Sequence, residues 1–279
     1  MISFITHGRN DDWQGKDWND NTYLDSFYES LSKNLEAIER FDVPYEYLIV
    51  EWCPYSEYVM NLPRFKELFK SNRNLKTIVV DKSVAAADGL DTRQYFEYYA
   101  KNVGVRQCTY DNIIMVNTDI VIYPRTMKAL VNLVKAGLDD SVIYRIIWRF
   151  HAAGPHPQEQ TGRIQNNEQR LLVMPGGAFP GDVHLTTKRG FVEYGDAYDE
   201  TNENHRTLCH SGMDSEFTLN WEKNGGRVEW LDESYWHINH NHPHPYDAGY
   251  AGKPYKNRPN WGFIDFPTTK INDQLTIIK

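Results

Sequence analysis

Asn117-Thr118-Asp119 interrupts an apolar run, Asn112 to Ile122 (NIIMVNTDIVI), and this is the first place where the chain could do chemistry. A carboxylate at the end of a buried strand is costly to desolvate unless a cation or hydrogen-bond donors meet it. A hard divalent ion shared with substrate phosphates suits that position, and so does capping of the helix expected from Pro124. The second cluster is Tyr235-Trp236-His237-Ile238-Asn239-His240-Asn241-His242-Pro243-His244. On an extended chain His237, Asn239 and Asn241 face one side, and His240 and His242 the other. Imidazole suits manganese as well as zinc, so His237 or His240 is expected beside Asp119 on one ion. No H-E-x-x-H helix or cysteine pair accompanies them to argue for zinc, and a solvated polar loop would also account for these residues. The third cluster is His210-Ser211-Gly212-Met213-Asp214-Ser215-Glu216. Asp214 stands where a helix begins, which suits an N-cap or a general base taking a proton from a hydroxyl nucleophile.

These residues need a frame, and the first half of the chain supplies one. Ile2 to Thr6, Tyr45 to Glu51, Thr77 to Val80 and Asn112 to Ile122 are apolar runs of strand length. Between and after them, Thr22 to Arg40, Pro63 to Phe69, Thr92 to Val103 and Pro124 to Ala136 carry helical spacing. Continuous apolar strands alternating with helices imply a parallel sheet covered on both faces, with ligands at the carboxyl ends of its strands. Those ends are Thr6 to Asp12, Glu51 to Pro54, Asp81 to Asp88 and Asn117 to Asp119, all expected along one rim. The second half is more mixed. Tyr144 to Phe150, Asp182 to Thr187 and Arg227 to Leu231 read as strands, Asp214 to Asn224 as a helix, and Gln158 to Gln169 as loop. The stretch from Pro243 is aromatic and aperiodic, an ordered wrap over the body whose part from residue 246 could close as a lid.

Composition narrows the partners. The chain has 279 residues with 30 Lys and Arg against 38 Asp and Glu, a net charge of −8. That field argues against nucleic acid as a partner, while a phosphate compound remains possible if a cation mediates. Cys53, Cys108 and Cys209 are scattered, which fits a reducing compartment. No apolar run is long enough to span a membrane and no signal peptide is visible, so a cytoplasmic protein is expected. Aromatic residues reach 14%, which suits stacking on sugars or bases as well as a large core.

Several motifs then fall in a recognisable order. Ile5-Thr6-His7-Gly8-Arg9-Asn10-Asp11-Asp12-Trp13-Gln14-Gly15 is similar to a T-A-R-N-D-x-x-G-G pattern, and Val50-Glu51-Trp52-Cys53-Pro54 to V-E-W-N-P. Ala100-Lys101-Asn102-Val103-Gly104-Val105-Arg106 is similar to A-K-N-V-G-I-R, and Val116-Asn117-Thr118-Asp119-Ile120 to a variant D-x-D. Gly181-Asp182, Arg189 to Glu193, Met213 to Ser215, Trp236 to His240 and Asn260-Trp261-Gly262-Phe263 follow in sequence. Together they resemble the GT-A type glycosyltransferases, in a family-2-like group, over nearly the whole chain.

The resemblance implies one GT-A domain over residues 1–279, a mostly parallel twisted sheet flanked by helices with a smaller mixed sheet on the acceptor side. Residues 1–125 would bind the nucleotide-sugar and 140–245 would carry the acceptor and catalytic half. It implies transfer of a sugar from a nucleotide donor, a UDP-sugar by expectation, to a hydroxyl of a glycan acceptor, with Mn²⁺ or Mg²⁺ and inversion at the anomeric centre. Thr6, Arg9, Asp11, Glu51, Lys101, Asn102, Asn117, Thr118 and Asp119 would then contact the donor. Asp119 with His237 or His240 would hold the metal, and Asp214 would be the base. Trp148, His151, Gly181, Asp182 and Trp236 would contact the acceptor. Asn117 in place of the first carboxylate of D-x-D should weaken ion binding unless a histidine compensates. A metal-dependent nucleotidyltransferase or hydrolase, and a non-catalytic carbohydrate-binding module, are the competing readings; the former lacks the Gly-rich phosphate loop it usually carries.

Overall fold

A computed structural model of the chain describes residues 1–9, 22–54, 57–152, 169–172, 183–201, 213–238 and 256–279. The first three strands are β1 (Ile2–Gly8), β2 (Tyr45–Trp52) and β3 (Leu75–Val80). β4 (Asn112–Val116) and β5 (Ile120–Ile122) come next, then β6 (Val142–Ala152), β7 (Gln169–Leu172) and β8 (Val183–Thr187). β9 (Arg227–Ile238), β10 (Thr268–Asn272) and β11 (Leu275–Ile278) complete the set. The helices are α1 (Tyr23–Ile38), α2 (Pro63–Ser71), α3 (Lys82–Ala87), α4 (Glu97–Gln107), α5 (Pro124–Ala136), α6 (Lys188–Glu193) and α7 (Met213–Lys223).

Among the described residues the eleven strands form one sheet in the order β10-β11-β3-β2-β1-β4-β8-β6-β9-β5, with β7 on β6. From β11 to β4 every pairing is parallel. Gly8 lies opposite Glu51, and Trp52 opposite Val80, so the carboxyl ends of these strands share one edge, as the apolar runs imply. Beyond β4 the pairings are antiparallel except β6 with β9. The mixed strands were expected as a smaller sheet of their own; the β4–β8 ladder joins them to the parallel part instead.

Apolar side chains pack on both faces. One core lies under α4 and α7 and includes Ile5, Val50, Met115, Val103 and Phe217; the other lies under α1, α2 and α5 and includes Phe4, Ile49, Ile114, Leu31 and Met127. α1 starts with a capping box: the Thr22 hydroxyl accepts the Asp25 N–H at 3.2 Å and the Asp25 carboxylate accepts the Thr22 N–H at 3.0 Å. α4 can approach β1 closely because Gly104 has no side chain; a Cβ there would stand 2.3 Å from Ile5 Cγ2.

Three elements differ from expectation. The Asn112–Ile122 run is two strands, because the chain turns at Asn117 to Asp119 and β5 pairs with β9 rather than with the parallel core. α4 starts at Glu97, not Thr92: the Asp91 carboxylate accepts the Arg93 N–H at 3.0 Å and keeps that stretch as a turn. The carboxyl-terminal stretch, expected to lack periodicity, contains the β10–β11 hairpin that extends the sheet beyond β3. No helix among the described residues is long and apolar enough to cross a membrane.

Candidate functional site

The rim of the parallel strands begins with the turn that breaks β4 from β5, and α1 fastens it. Asn34 donates to Ile120 O at 2.8 Å and accepts the Ile122 N–H at 2.8 Å. The Tyr23 hydroxyl donates to Thr118 Oγ1 at 3.1 Å, and the Ser30 hydroxyl donates to Thr118 O. β9 arrives from the other side: its Ile238 N–H donates to Asp119 O at 2.8 Å, and His237 lies opposite Ile120. The result is a contact of 3.1 Å between His237 Nε2 and Asp119 Oδ2, with both side chains mostly buried. The expected convergence of Asp119 and His237 is therefore present. His240 lies outside the described residues.

β9 running unbroken to Ile238 is what brings this about; the strand read from the sequence stops at Leu231. Alternation along β9 also corrects one acceptor assignment. Trp236 points away from the Asp119 side and packs with Val121 and Ile238, only 3% exposed, so its ring is not offered for sugar stacking. Trp148 and His151 are placed by strand register alone, His151 opposite His237 and Trp148 opposite Ser234. Gly181 and Asp182 lie outside the described residues, as does Asp11.

Next to this turn, His7 ends β1. Burial pushes its pKa down from 6.5 to about 4, against the pull of Glu97, so the ring is neutral near pH 7. Its Nε2 lies 3.1 Å from Asn117 Oδ1, an acceptor, so Nε2 carries the proton and Nδ1 accepts from the Tyr95 hydroxyl. Asn117 thus holds its place through a neutral imidazole. Thr6 is buried, and its hydroxyl has no hydrogen-bond partner among the described atoms. Arg9 donates to Arg93 O at 2.6 Å.

Glu51, at the end of β2, is 1% exposed, and its carboxyl group accepts the Val59 N–H at 2.9 Å. Burial raises its pKa from 4.5 to about 8, opposed by that hydrogen bond. The folded protein therefore keeps a proton that the unfolded chain has lost, and stability falls as pH rises from 4.5 through about 8. His7 has the opposite sign: its contribution is lost as pH falls from 6.5 through about 4. Above 6.5 only the Glu51 window of the two remains. Glu51→Gln should flatten the fall in urea midpoint between pH 6.5 and 8 and, because nothing then offsets His7, make stability rise more steeply between pH 4.5 and 6.5; an equally steep fall above pH 6.5 would show that Glu51 ionises freely.

On the α4 side of the sheet stands Asp214, in the first turn of α7 and 15% exposed. Its Oδ2 accepts from the Tyr98 hydroxyl and its Oδ1 from the Tyr198 hydroxyl, each at 3.2 Å. Lys101 Nζ lies 3.7 Å from Asp214 Oδ1 and 2.6 Å from Glu97 Oε1, and Glu97 Oε1 is 3.7 Å from His7 Nε2. Charged and polar groups thus run along the rim from Asp214 through Lys101, Glu97 and His7 to Asn117. Lys101 and Asn102, expected at the nucleotide, are both fully buried. Lys101 bridges Glu97 and Asp214, while the Asn102 amide donates to Tyr198 O and Glu200 Oε1, each at 2.8 Å. Sequence reasoning missed His7, Glu97, Tyr98 and Tyr198. The Glu97 and Lys101 pair at i,i+4 was a usable signal, since both residues lie within the helix read from the sequence.

No protein-family model matches the chain, and no curated protein does. Solved structures of S. aureus TarS do. One is 16% identical, covers 85% of this chain and 36% of that one, and has a TM-score of 0.51. The chain shares the fold of TarS. The structure of TarS 1–349 is 14% identical over 85% of this chain and 60% of that one, with a TM-score of 0.51. TarS 1–349 in complex with UDP-GlcNAc is 16% identical over 87% and 60%, with a TM-score of 0.50. The chain therefore spans between 36% and 60% of the length of the TarS structures it matches. At such identity the likeness is one of fold, and it is consistent with the GT-A-type α/β architecture expected from the motifs.

Proposed function

We propose that this protein transfers a sugar from a nucleotide-sugar, a UDP-sugar, to a hydroxyl of a glycan acceptor with inversion. The observation that carries the reading is the meeting of Asp119 and His237 at the carboxyl edge of the parallel strands. Ligands of open parallel α/β sheets bind at that edge. A complex of TarS with UDP-GlcNAc, on a similar fold, supports the choice of donor.

In the reaction the acceptor oxygen attacks the anomeric carbon while its O–H proton passes to the Asp214 carboxylate. The bond from that carbon to the phosphate oxygen breaks, and its electron pair leaves with the nucleoside diphosphate. Attack opposite the leaving group inverts the centre. Thr6, Arg9, Glu51 and the turn at Asn117 and Thr118 line the donor side, and Asp11 would join them.

One carboxylate suits Mn²⁺ or Mg²⁺, which take few protein ligands and fill their remaining positions from phosphates and water, and the added imidazole favours Mn²⁺ over the oxygen-seeking Mg²⁺. Asp119 and His237 would hold the ion, with His240 a further candidate. Such an ion neutralises charge developing on the departing diphosphate.

The test is calorimetric titration with UDP, with and without MnCl₂, followed by assay of UDP release from UDP-GlcNAc, UDP-glucose and UDP-galactose. Binding strengthened by Mn²⁺ is expected, and Asp119→Ala should weaken it about tenfold to a hundredfold. No UDP binding and no release from any donor would overturn the reading.

A further inference from the structure

Asp214 owes its surroundings to a turn that costs energy to make. Asp196 and Ala197, neither of them glycine, have φ of 53° and 56°. Such backbone is strained for residues other than glycine and persists where neighbours over-determine it, often beside functional groups. Here the neighbours are two asparagines. The Asn257 N–H donates to Asp196 Oδ2 at 2.6 Å, and its amide donates to Asp196 O at 3.1 Å and Tyr198 O at 2.7 Å. From α4, Asn102 accepts the Tyr198 N–H at 2.9 Å and donates to Tyr198 O at 2.8 Å.

What the turn delivers is the Tyr198 hydroxyl. It meets one oxygen of Asp214 while Tyr98, whose ring centroid is 5.1 Å from that of Tyr198, meets the other. Lys101 Nζ sits 5.0 and 5.3 Å from the centroids of the Tyr98 and Tyr198 rings and 3.7 Å from Asp214 Oδ1. Burial first, then the charge of Asp214, holds both phenols well above their ordinary pKa, so they stay protonated and donate. The Asp214 side chain is 15% exposed, and an acceptor could reach it through that opening.

We propose that Tyr98, Tyr198 and Lys101 are positioning residues that aim the Asp214 carboxylate at the acceptor hydroxyl and hold it ionised. The inference rests on the reading of Asp214 as the base. Among the described residues, the other charged or titratable groups around it include Glu97 on α4, Arg145 on β6, His184 on β8 and Glu216 on α7. Arg145 reaches α7 through Thr218, donating to its hydroxyl at 2.7 Å, and that hydroxyl donates to Asp214 O at 2.7 Å.

The test compares Tyr98→Phe, Tyr198→Phe, their double variant and Lys101→Met by UDP release from UDP-GlcNAc. The phenylalanines keep ring volume and packing, so they carry the test if the buried lysine variant does not fold. The double variant should lose about tenfold in kcat with KM unchanged, and the acid limb of its pH profile should rise by about one pH unit. A folded double variant with unaltered kcat and acid limb would overturn the proposal. Retained turnover in Asp214→Asn, or no release by the parent protein, would instead sink the assignment of the base. In that case carboxyl ¹³C titration of Asp214, assigned against Asp214→Asn, decides whether these groups hold the carboxylate ionised: a midpoint raised by about one unit in the double variant supports that part of the proposal, and an unchanged midpoint refutes it.

Discussion

Asp214→Asn should lower kcat for UDP release by about a hundredfold to ten-thousandfold, the usual worth of a general base. The substitution keeps the shape of the side chain, so the rings of Tyr98 and Tyr198 and the first turn of α7 should stay in place. UDP affinity should stay within about twofold, since the proposed nucleotide site lies on the other part of the rim and only the transition state would lose a partner. Calorimetry with UDP and steady-state assay of the same preparation separate the two effects. Turnover close to that of the parent protein would reduce Asp214 to an acid that merely favours the start of a helix.

Arg258→Met should cost about 3–5 kcal/mol of stability, because it strands a buried carboxylate. Glu200 is buried against Asn102 of α4, and burial raises its pKa in spite of Arg258. Its Oε2 accepts from Arg258 Nε at 2.8 Å, while Oε1 accepts from Asn102 at 2.8 Å and from the Gly262 N–H at 2.9 Å. Burial alone would depress Arg258, but Asp88 and Glu200 more than offset it and hold its guanidinium above the ordinary value. The same guanidinium lies over Tyr99 and Phe263, each 5.7 Å from the ring centroid. One cation thus ties α3, the Asp199–Thr201 stretch and the Trp261–Phe263 turn to α4. Denaturant unfolding of Arg258→Met and of Arg258→Met with Glu200→Gln checks this. The second change should recover part of the loss, because the unpaired charge is gone. A loss below about 1 kcal/mol in the single variant would mark the pair as no stronger than an exposed one.

That clamp also gives a reason for the Asn-Trp-Gly-Phe element near the end of the chain. Gly262 has φ of 67° and stands against Asn102 O and Arg106 Cγ, where a Cβ would come within 2.7 Å of the latter. The Arg106 guanidinium lies 3.5 Å from the centroid of the Trp261 ring. The motif therefore packs on α4, the helix that also carries Glu97, Tyr98 and Lys101. Asn102, expected at the nucleotide, belongs to this packing and to the turn before Tyr198.

The amino-acid sequence by itself determined the alternation of apolar strands and amphipathic helices, the shared edge at the ends of β1 to β4, and the residues that stand there. These follow from local signals: runs buried on both faces, helical spacing, and polar residues where a run stops. Asp119 and Asp214 were legible for that reason. Tertiary structure alone decided that β9 extends to His237 and lies beside β5, that β8 joins the two parts of the sheet, and that Tyr198 reaches Asp214 from a strained turn. Each of these depends on pairing between segments far apart in the chain, and the energy that selects them comes from burial and hydrogen bonds formed only once both segments are in place.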